Sequence, residues 1–161
     1  MNKNFENLDK FTRAANYLTA AQIFLKDNFL LERPLTFDDI KPRLLGHWGS
    51  GPGVNFAYAH LNKMIKKYGQ EMMFVLGPGH AFPALQANLF LEGTLAERYP
   101  MATQNYEGIA YICKNFSWPY GFPSHSNPGT PGVILEGGEL GYSLATSYGA
   151  ALDNPNMIVA C

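Results

Sequence analysis

In the first 25 residues, Ala15, Leu18, Ile23 and Leu25 recur among polar positions at roughly helical spacing. The pattern predicts an amphipathic helix over 12–25, with Asn28 just beyond as a stop. Pro34 and Asp38-Asp39 then interrupt, and 46–53 holds four glycines and a proline, too many for a regular element. A structured loop is expected there. Val54–Tyr68, with Phe56, Ala59, Leu61 and Ile65 among polar residues, predicts a second helix whose start Ser50 or Asn55 would cap. Met72–Leu76 is an uninterrupted apolar run that ends in Gly-Pro-Gly, the pattern of a buried strand in a parallel sheet.

Pro83–Leu91 reads as a helix with proline in its first turn and Gly93 past its end, and Gln104–Phe116 as another. The stretch 117–132 contains four prolines and three glycines, which makes it a long irregular loop of the kind that tends to carry function. Glu139–Leu152 is rich in small residues suited to packing against a sheet, and Gly137-Gly138 marks its start. Asp153-Asn154-Pro155 is a turn, and Met157–Ala160 begins a second buried strand. The fold class expected is α/β with a parallel sheet. A chain that stops on its second strand leaves a βαβ unit unfinished, so it is expected to be the front part of something longer.

Composition narrows the classes. With 161 residues, 47% hydrophobic and 16% charged, the chain has the size and balance of one globular domain. Its 11 Phe and 9 Tyr lie partly outside amphipathic patterns, so some are expected to cover an interface with another domain or subunit. A net charge of −1 without a basic block offers no electrostatic footprint for nucleic acid or an anionic membrane, and neither partner is expected. Two cysteines, Cys113 and Cys161, build no disulfide framework and fit a reduced, cytoplasmic setting. Met1–Lys10 carries Glu6 and Asp9 and lacks the character of a secretory signal. No apolar run approaches the ~20 residues of a membrane helix.

The candidate chemistry lies in three histidines held by turn-forming residues: His47 in Gly-His-Trp-Gly, His80 in Gly-Pro-Gly-His and His125 in Pro-Ser-His. Each imidazole can serve as acid, base or neutral donor near neutral pH. A lone histidine is more often structural, which is the reading for His60 on the second helix; three in Gly/Pro loops favour a site for a polar, anionic small molecule. Zinc is the competing chemistry, but no His-x-x-x-His or Cys-x-x-Cys pair supports it, and no metal ligand is assigned. Gly138 precedes a helix N-terminus, where backbone amides attract phosphate, although a tight turn explains it equally. Glu136 and Glu139 are wrong for a bare phosphate and are read as capping that helix or bonding neighbouring loops. Cys113, between Ile112 and Lys114, reads as buried and inert. Trp48 and Trp118 either wall a cavity beside the site loops or pack in the core.

Taken together, these segments resemble the N-terminal part of the phosphoketolases, thiamine diphosphate-dependent enzymes related to transketolase. The resemblance runs through nearly the whole chain. It is carried by Arg13-Ala14-Ala15-Asn16-Tyr17-Leu18, Gln22–Asn28, Gly46-His47-Trp48-Gly49, Tyr58-Ala59-His60-Leu61-Asn62, Gly77-Pro78-Gly79-His80, Leu91-Glu92-Gly93-Thr94, Pro123-Ser124-His125, Glu136–Leu144 and Asp153-Asn154-Pro155. It implies cleavage of xylulose 5-phosphate, often also fructose 6-phosphate, with inorganic phosphate to give acetyl phosphate and a shorter aldose phosphate. The cofactor would supply the electron sink and the protein orientation and proton transfer.

By resemblance, His80 lies beside the cofactor's diphosphate and reactive carbon, His47 is a substrate-side acid/base, His125 bonds the ketol hydroxyls, and Gly138 brings its backbone to the cofactor. The resemblance divides the chain into a helical segment, 1–45, and an incomplete diphosphate-side cofactor domain, 46–161. The magnesium ligands of the family would follow the strand ending at Cys161, and the pyrimidine-binding and C-terminal domains would follow them. The family's cofactor lies between two subunits of a homo-oligomer, so the isolated chain is expected to be inactive. The competing reading is a non-catalytic remnant or binding domain.

Overall fold

The structure, a computed structural model, describes residues 3–135, 137 and 139–161. Its regular elements in chain order are α1 (Lys3–Phe24), α2 (Gly51–Tyr68), β1 (Met72–Phe74), α3 (Phe82–Glu92), α4 (Leu95–Arg98), α5 (Tyr106–Asn115), α6 (Leu140–Asp153) and β2 (Ile158–Ala160). Single 3-10 turns occur at Phe37–Asp39, Trp48–Ser50 and Gly79–Ala81.

α1 begins at Lys3 rather than Thr12, because Phe5, Leu8 and Phe11 extend the helical spacing upstream. The helix packs against α2, α3 and α5. Its buried Ala15, Leu18, Ala21 and Ile23 sit on that side. Leu18 and Ile23 join Phe29, Phe82, Leu95, Ile112, Phe116 and Phe122 in one hydrophobic cluster. Each such side chain contributes roughly 1.5–3 kcal/mol through burial. The rings of Phe82 and Phe116 stack at its centre, 6.3 Å apart.

Polar groups also join these helices. Asn55 of α2 donates to Asn16 Oδ1 at 2.9 Å and Thr19 Oγ1 at 3.0 Å, and accepts from Asn88 of α3 at 2.8 Å. Asn55 is therefore a buried link one turn inside α2, not the cap read from the sequence. Ser50 does occupy the N-cap position, but its hydroxyl donates to His47 O instead. Gly69 closes α2 in the left-handed region at φ 63°, as Gly93 closes α3 at φ 87°.

β1 and β2 pair in parallel, with Met72 opposite Ile158 and Phe74 opposite Ala160. Val75 N–H extends the ladder to Ala160 O at 2.8 Å. The result is a largely helical α/β arrangement around a small two-stranded parallel sheet. Its strands are shorter than the apolar runs, and they are half-buried to exposed rather than buried. Little of the described chain covers them: in α6 only Ser143 and Ser147 are buried, while Leu140, Leu144, Tyr148 and Leu152 are exposed. No helix is long and apolar enough to cross a membrane among the described residues.

Candidate active site at three histidine loops

Three segments far apart in sequence deliver the histidines to one place. The loop before α2 carries His47, the turn leaving the carboxyl end of β1 carries His80, and the irregular loop after α5 carries His125. The ring centroids of His47 and His80 are 4.7 Å apart, and those of His80 and His125 are 6.3 Å apart with edge-on geometry. His80 lies between the other two.

Each ring has an identifiable setting. Ser50 donates its backbone N–H to His47 Nδ1 at 3.2 Å, which makes that nitrogen an acceptor and leaves Nε2 to carry the proton of the neutral ring. Ser124 Oγ lies 3.0 Å from His125 Nδ1. Burial lowers the His80 pKa, and the neighbouring His47 and His125 push it the same way, so His80 favours the neutral imidazole. Such a ring has one donor and one acceptor nitrogen for a bound molecule.

The glycines around His80 allow close backbone approach. Gly79 donates its N–H to Gly137 O at 2.6 Å, and Ser126 donates to Gly79 O at 3.1 Å. A Cβ at Gly79 would stand 2.6 Å from Gly137 O and 3.1 Å from His125 Cδ2. One at Gly77 would stand 2.7 Å from Ser143 Oγ of α6. Side-chain-free backbone thus joins the His80 turn, the His125 loop and the start of α6. Gly138, read as cofactor-binding, and Glu136 lie outside the described residues. Glu139 occupies the N-cap position of α6 without making a side-chain cap bond, contrary to the capping role read for it.

The remaining candidates sit elsewhere. His60 Nδ1 donates to Phe56 O within α2 at 2.8 Å, a local contact outside the histidine group. Cys113 is fully buried and its thiol is pushed up to about 12 by burial, which keeps it unreactive. Trp48 follows His47 directly and is partly exposed. Trp118 lines a separate cavity of about 300 Å³ with Ile23, Lys41 and Phe116. Among the described residues, no group of three or more His, Cys, Asp or Glu is arranged to hold a metal ion. Sequence reading missed Lys41, which is 8% exposed and donates to three main-chain carbonyls. An ordinary Lys-Pro-Arg stretch gives no sign of such burial.

A chain with this arrangement of histidine loops on a helical α/β frame belongs to a recognised family: residues 1–161 match the XFP N-terminal domain, and the chain is a member of it. It is 55% identical over 160 residues to a probable phosphoketolase of Rhodopseudomonas palustris (strain HaA2), with 99% of this chain aligned. It is 57% identical over 159 residues to one of Pseudomonas putida, and 56% identical over 154 residues to probable phosphoketolase 1 of Rhizobium meliloti. The chain spans 20% of the length of each of these relatives and corresponds to their N-terminal part, as the sequence motifs indicated.

Proposed function

We propose that this chain forms the diphosphate-side wall of the cofactor pocket in a phosphoketolase. The enzyme would be an aldehyde-lyase that cleaves xylulose 5-phosphate, fructose 6-phosphate or both with inorganic phosphate. Its products would be acetyl phosphate and a shorter aldose phosphate. The observation that carries this reading is the convergence of His47, His80 and His125 from three separate loops. The residues fit thiamine diphosphate through their donor set: three imidazoles from separate loops offer N–H donors suited to phosphate and hydroxyl oxygens, and the close packing of Gly77, Gly79 and Gly137 holds the His80 turn in place. When bound, the cofactor supplies the nucleophilic carbon and electron sink for carbon–carbon cleavage.

The chain's own groups would bind, orient and move protons. His80, kept neutral by burial and by its flanking imidazoles, would hydrogen-bond beside the diphosphate and the reacting carbon. His47, with Nδ1 held by Ser50, would present Nε2 to a substrate hydroxyl as the acid/base group. His125, steadied by Ser124, would bond the ketol hydroxyls. Gly138 would bring backbone to the cofactor. Residues 46–161 would form this cofactor-binding part, with 1–45 as a helical segment packed upon it. Magnesium would be held by ligands outside these 161 residues, in a cytoplasmic homo-oligomer.

With 20% of its relatives' length, the isolated chain would be inactive. The alternative, a domain that only binds, draws on the exposed Leu140, Leu144, Tyr148 and Leu152 of α6. The deciding assay measures acetyl phosphate formation by a full-length enzyme carrying this segment. His80→Asn, His47→Asn and His125→Asn should each lower kcat by about 10²–10⁴ with unchanged far-UV circular dichroism. Activity within about threefold of wild type in all three would exclude the catalytic reading and leave the binding one.

A further inference from the structure

Lys41 has a setting unusual for a lysine. It is buried, and among the described residues no carboxylate lies within ion-pair distance of it. Its Nζ instead donates to Gln22 O at 2.7 Å, Cys113 O at 2.7 Å and Phe116 O at 3.1 Å, so the three hydrogens of an ammonium meet three acceptors. Burial pushes its pKa down to about 8, which still leaves the ammonium in place at neutral pH. Gln22 lies in the last turn of α1, Cys113 in the last turn of α5, and Phe116 closes α5. These are C-terminal carbonyls, where a cation interacts well with the unpaired oxygens and the negative end of each helix dipole. One side chain therefore ties together two helix ends that are otherwise remote in sequence.

The same two helix ends support the His47 loop. Gly46 is in the left-handed region at φ 95°, and a Cβ there would stand 3.1 Å from both Ile23 Cγ1 and Phe116 Cζ. Ile23 follows Gln22, and Phe116 is itself held by Lys41. The segment from Lys41 to Gly46 thus starts at the ammonium and ends against Phe116, one of its carbonyl partners, and Ile23, the neighbour of another. Main-chain bonds secure its origin: Lys41 N–H donates to Phe24 O at 2.9 Å, and Lys26 N–H to Asp39 O at 2.7 Å.

We propose that Lys41 is a positioning residue for His47: by joining the C-terminal ends of α1 and α5, it sets the surface on which Gly46 rests and hence the orientation of the imidazole toward His80. The inference rests on the reading of His47 as a functional residue, but its test does not depend on activity. In the 161-residue chain, long-range ¹H–¹⁵N spectra of the imidazoles report the tautomer of each ring. Wild-type His47 should show one fixed tautomer with the proton on Nε2, because Ser50 N–H occupies Nδ1. Lys41→Met should abolish that signature and give tautomer-averaged nitrogens at His47. His60, bonded within α2, should keep its own pattern as the internal control.

Unmoved His47 nitrogens in a folded Lys41→Met chain would overturn the proposal, as would a wild-type His47 with no fixed tautomer. Should Lys41→Met fail to fold, Lys41→Gln decides: its amide keeps two donors for the three carbonyls but no charge, so it should move the His47 nitrogens toward averaging; an unchanged signature there overturns the proposal. A full-length His47→Asn enzyme with full activity would instead remove the catalytic reading of His47 while leaving the spectroscopic result standing.

Discussion

Gly79 donates its N–H to the carbonyl of Gly137 at 2.6 Å, and neither residue has room for a Cβ: one at Gly137 would stand 2.5 Å from Gly79 Cα. Because the obstructing atoms are backbone, no side-chain rotation relieves the clash. Gly79→Ala should therefore destabilise the chain by about 1–3 kcal/mol, in the range of overpacked sites. It should also displace His80, the next residue. Urea unfolding measures the first effect and the His80 ring resonances the second. A stable variant with unshifted His80 resonances would show that the two glycines do not pack so closely.

His80 gives the chain a defined response to acid. Its pKa is lowered in the folded state by burial and by the flanking imidazoles, so between that value and the ordinary 6.5 the unfolded chain binds more protons. Stability therefore falls as pH drops through about 6.5. The melting temperature of wild type should decline more steeply between about pH 7.5 and 5.5 than that of His80→Gln, which has no proton to gain. Parallel declines would mean that His80 titrates normally and lacks the surroundings described.

A second acid response comes from Asp39. Its carboxylate accepts from both ends of the Arg33 guanidinium at 2.6 and 2.7 Å, and from Thr36 N–H at 2.9 Å. These bonds, the guanidinium first, hold its pKa far below the usual carboxylate value of 3.8. The stabilisation is complete above that value and is lost as pH falls below it. Asp39→Asn should lower Tm at neutral pH, and the gap to wild type should narrow under acid conditions. A constant gap across the acid range would contradict the ion-pair account.

The buried amide network should be costly to cut. Asn55→Ala removes donors to Asn16 and Thr19 and leaves Asn88 Nδ2 with only its bond to Ala84 O. With the small cavity added, a loss of about 2–4 kcal/mol is expected in urea unfolding. A loss under about 0.5 kcal/mol would place the network among replaceable contacts.

These relationships differ in how far the sequence discloses them. Helix positions were legible from apolar spacing: Leu18 and Ile23 of α1, or Phe56 and Ala59 of α2, mark period and place, and Gly93 marks a stop, whereas the stop at Gly69 went unread. The histidines were legible because Gly and Pro neighbours set them in turns, although their mutual distances depend on tertiary packing that periodicity does not encode. Asn55 looked like a cap because its residue type suits that position. Only the packing of α1 and α3 on α2 shows it as a buried link. Lys41 was silent for the same reason: three main-chain carbonyls form its surroundings, and a carbonyl carries no mark of residue type. The apolar runs at Met72–Leu76 and Met157–Ala160 located the strands but overstated their burial, since little of the described chain covers the two-stranded sheet.

A double-variant cycle on His47 and His80 tests most directly whether His47, His80 and His125 act as one site. In a full-length enzyme carrying this segment, kcat for acetyl phosphate formation is measured for His47→Asn, His80→Asn and the pair. Rings whose centroids lie 4.7 Å apart in one site should be strongly non-additive, so the double variant should be little slower than the slower single one. Losses that multiply would mean that the two histidines work independently, and would contradict the single-site account.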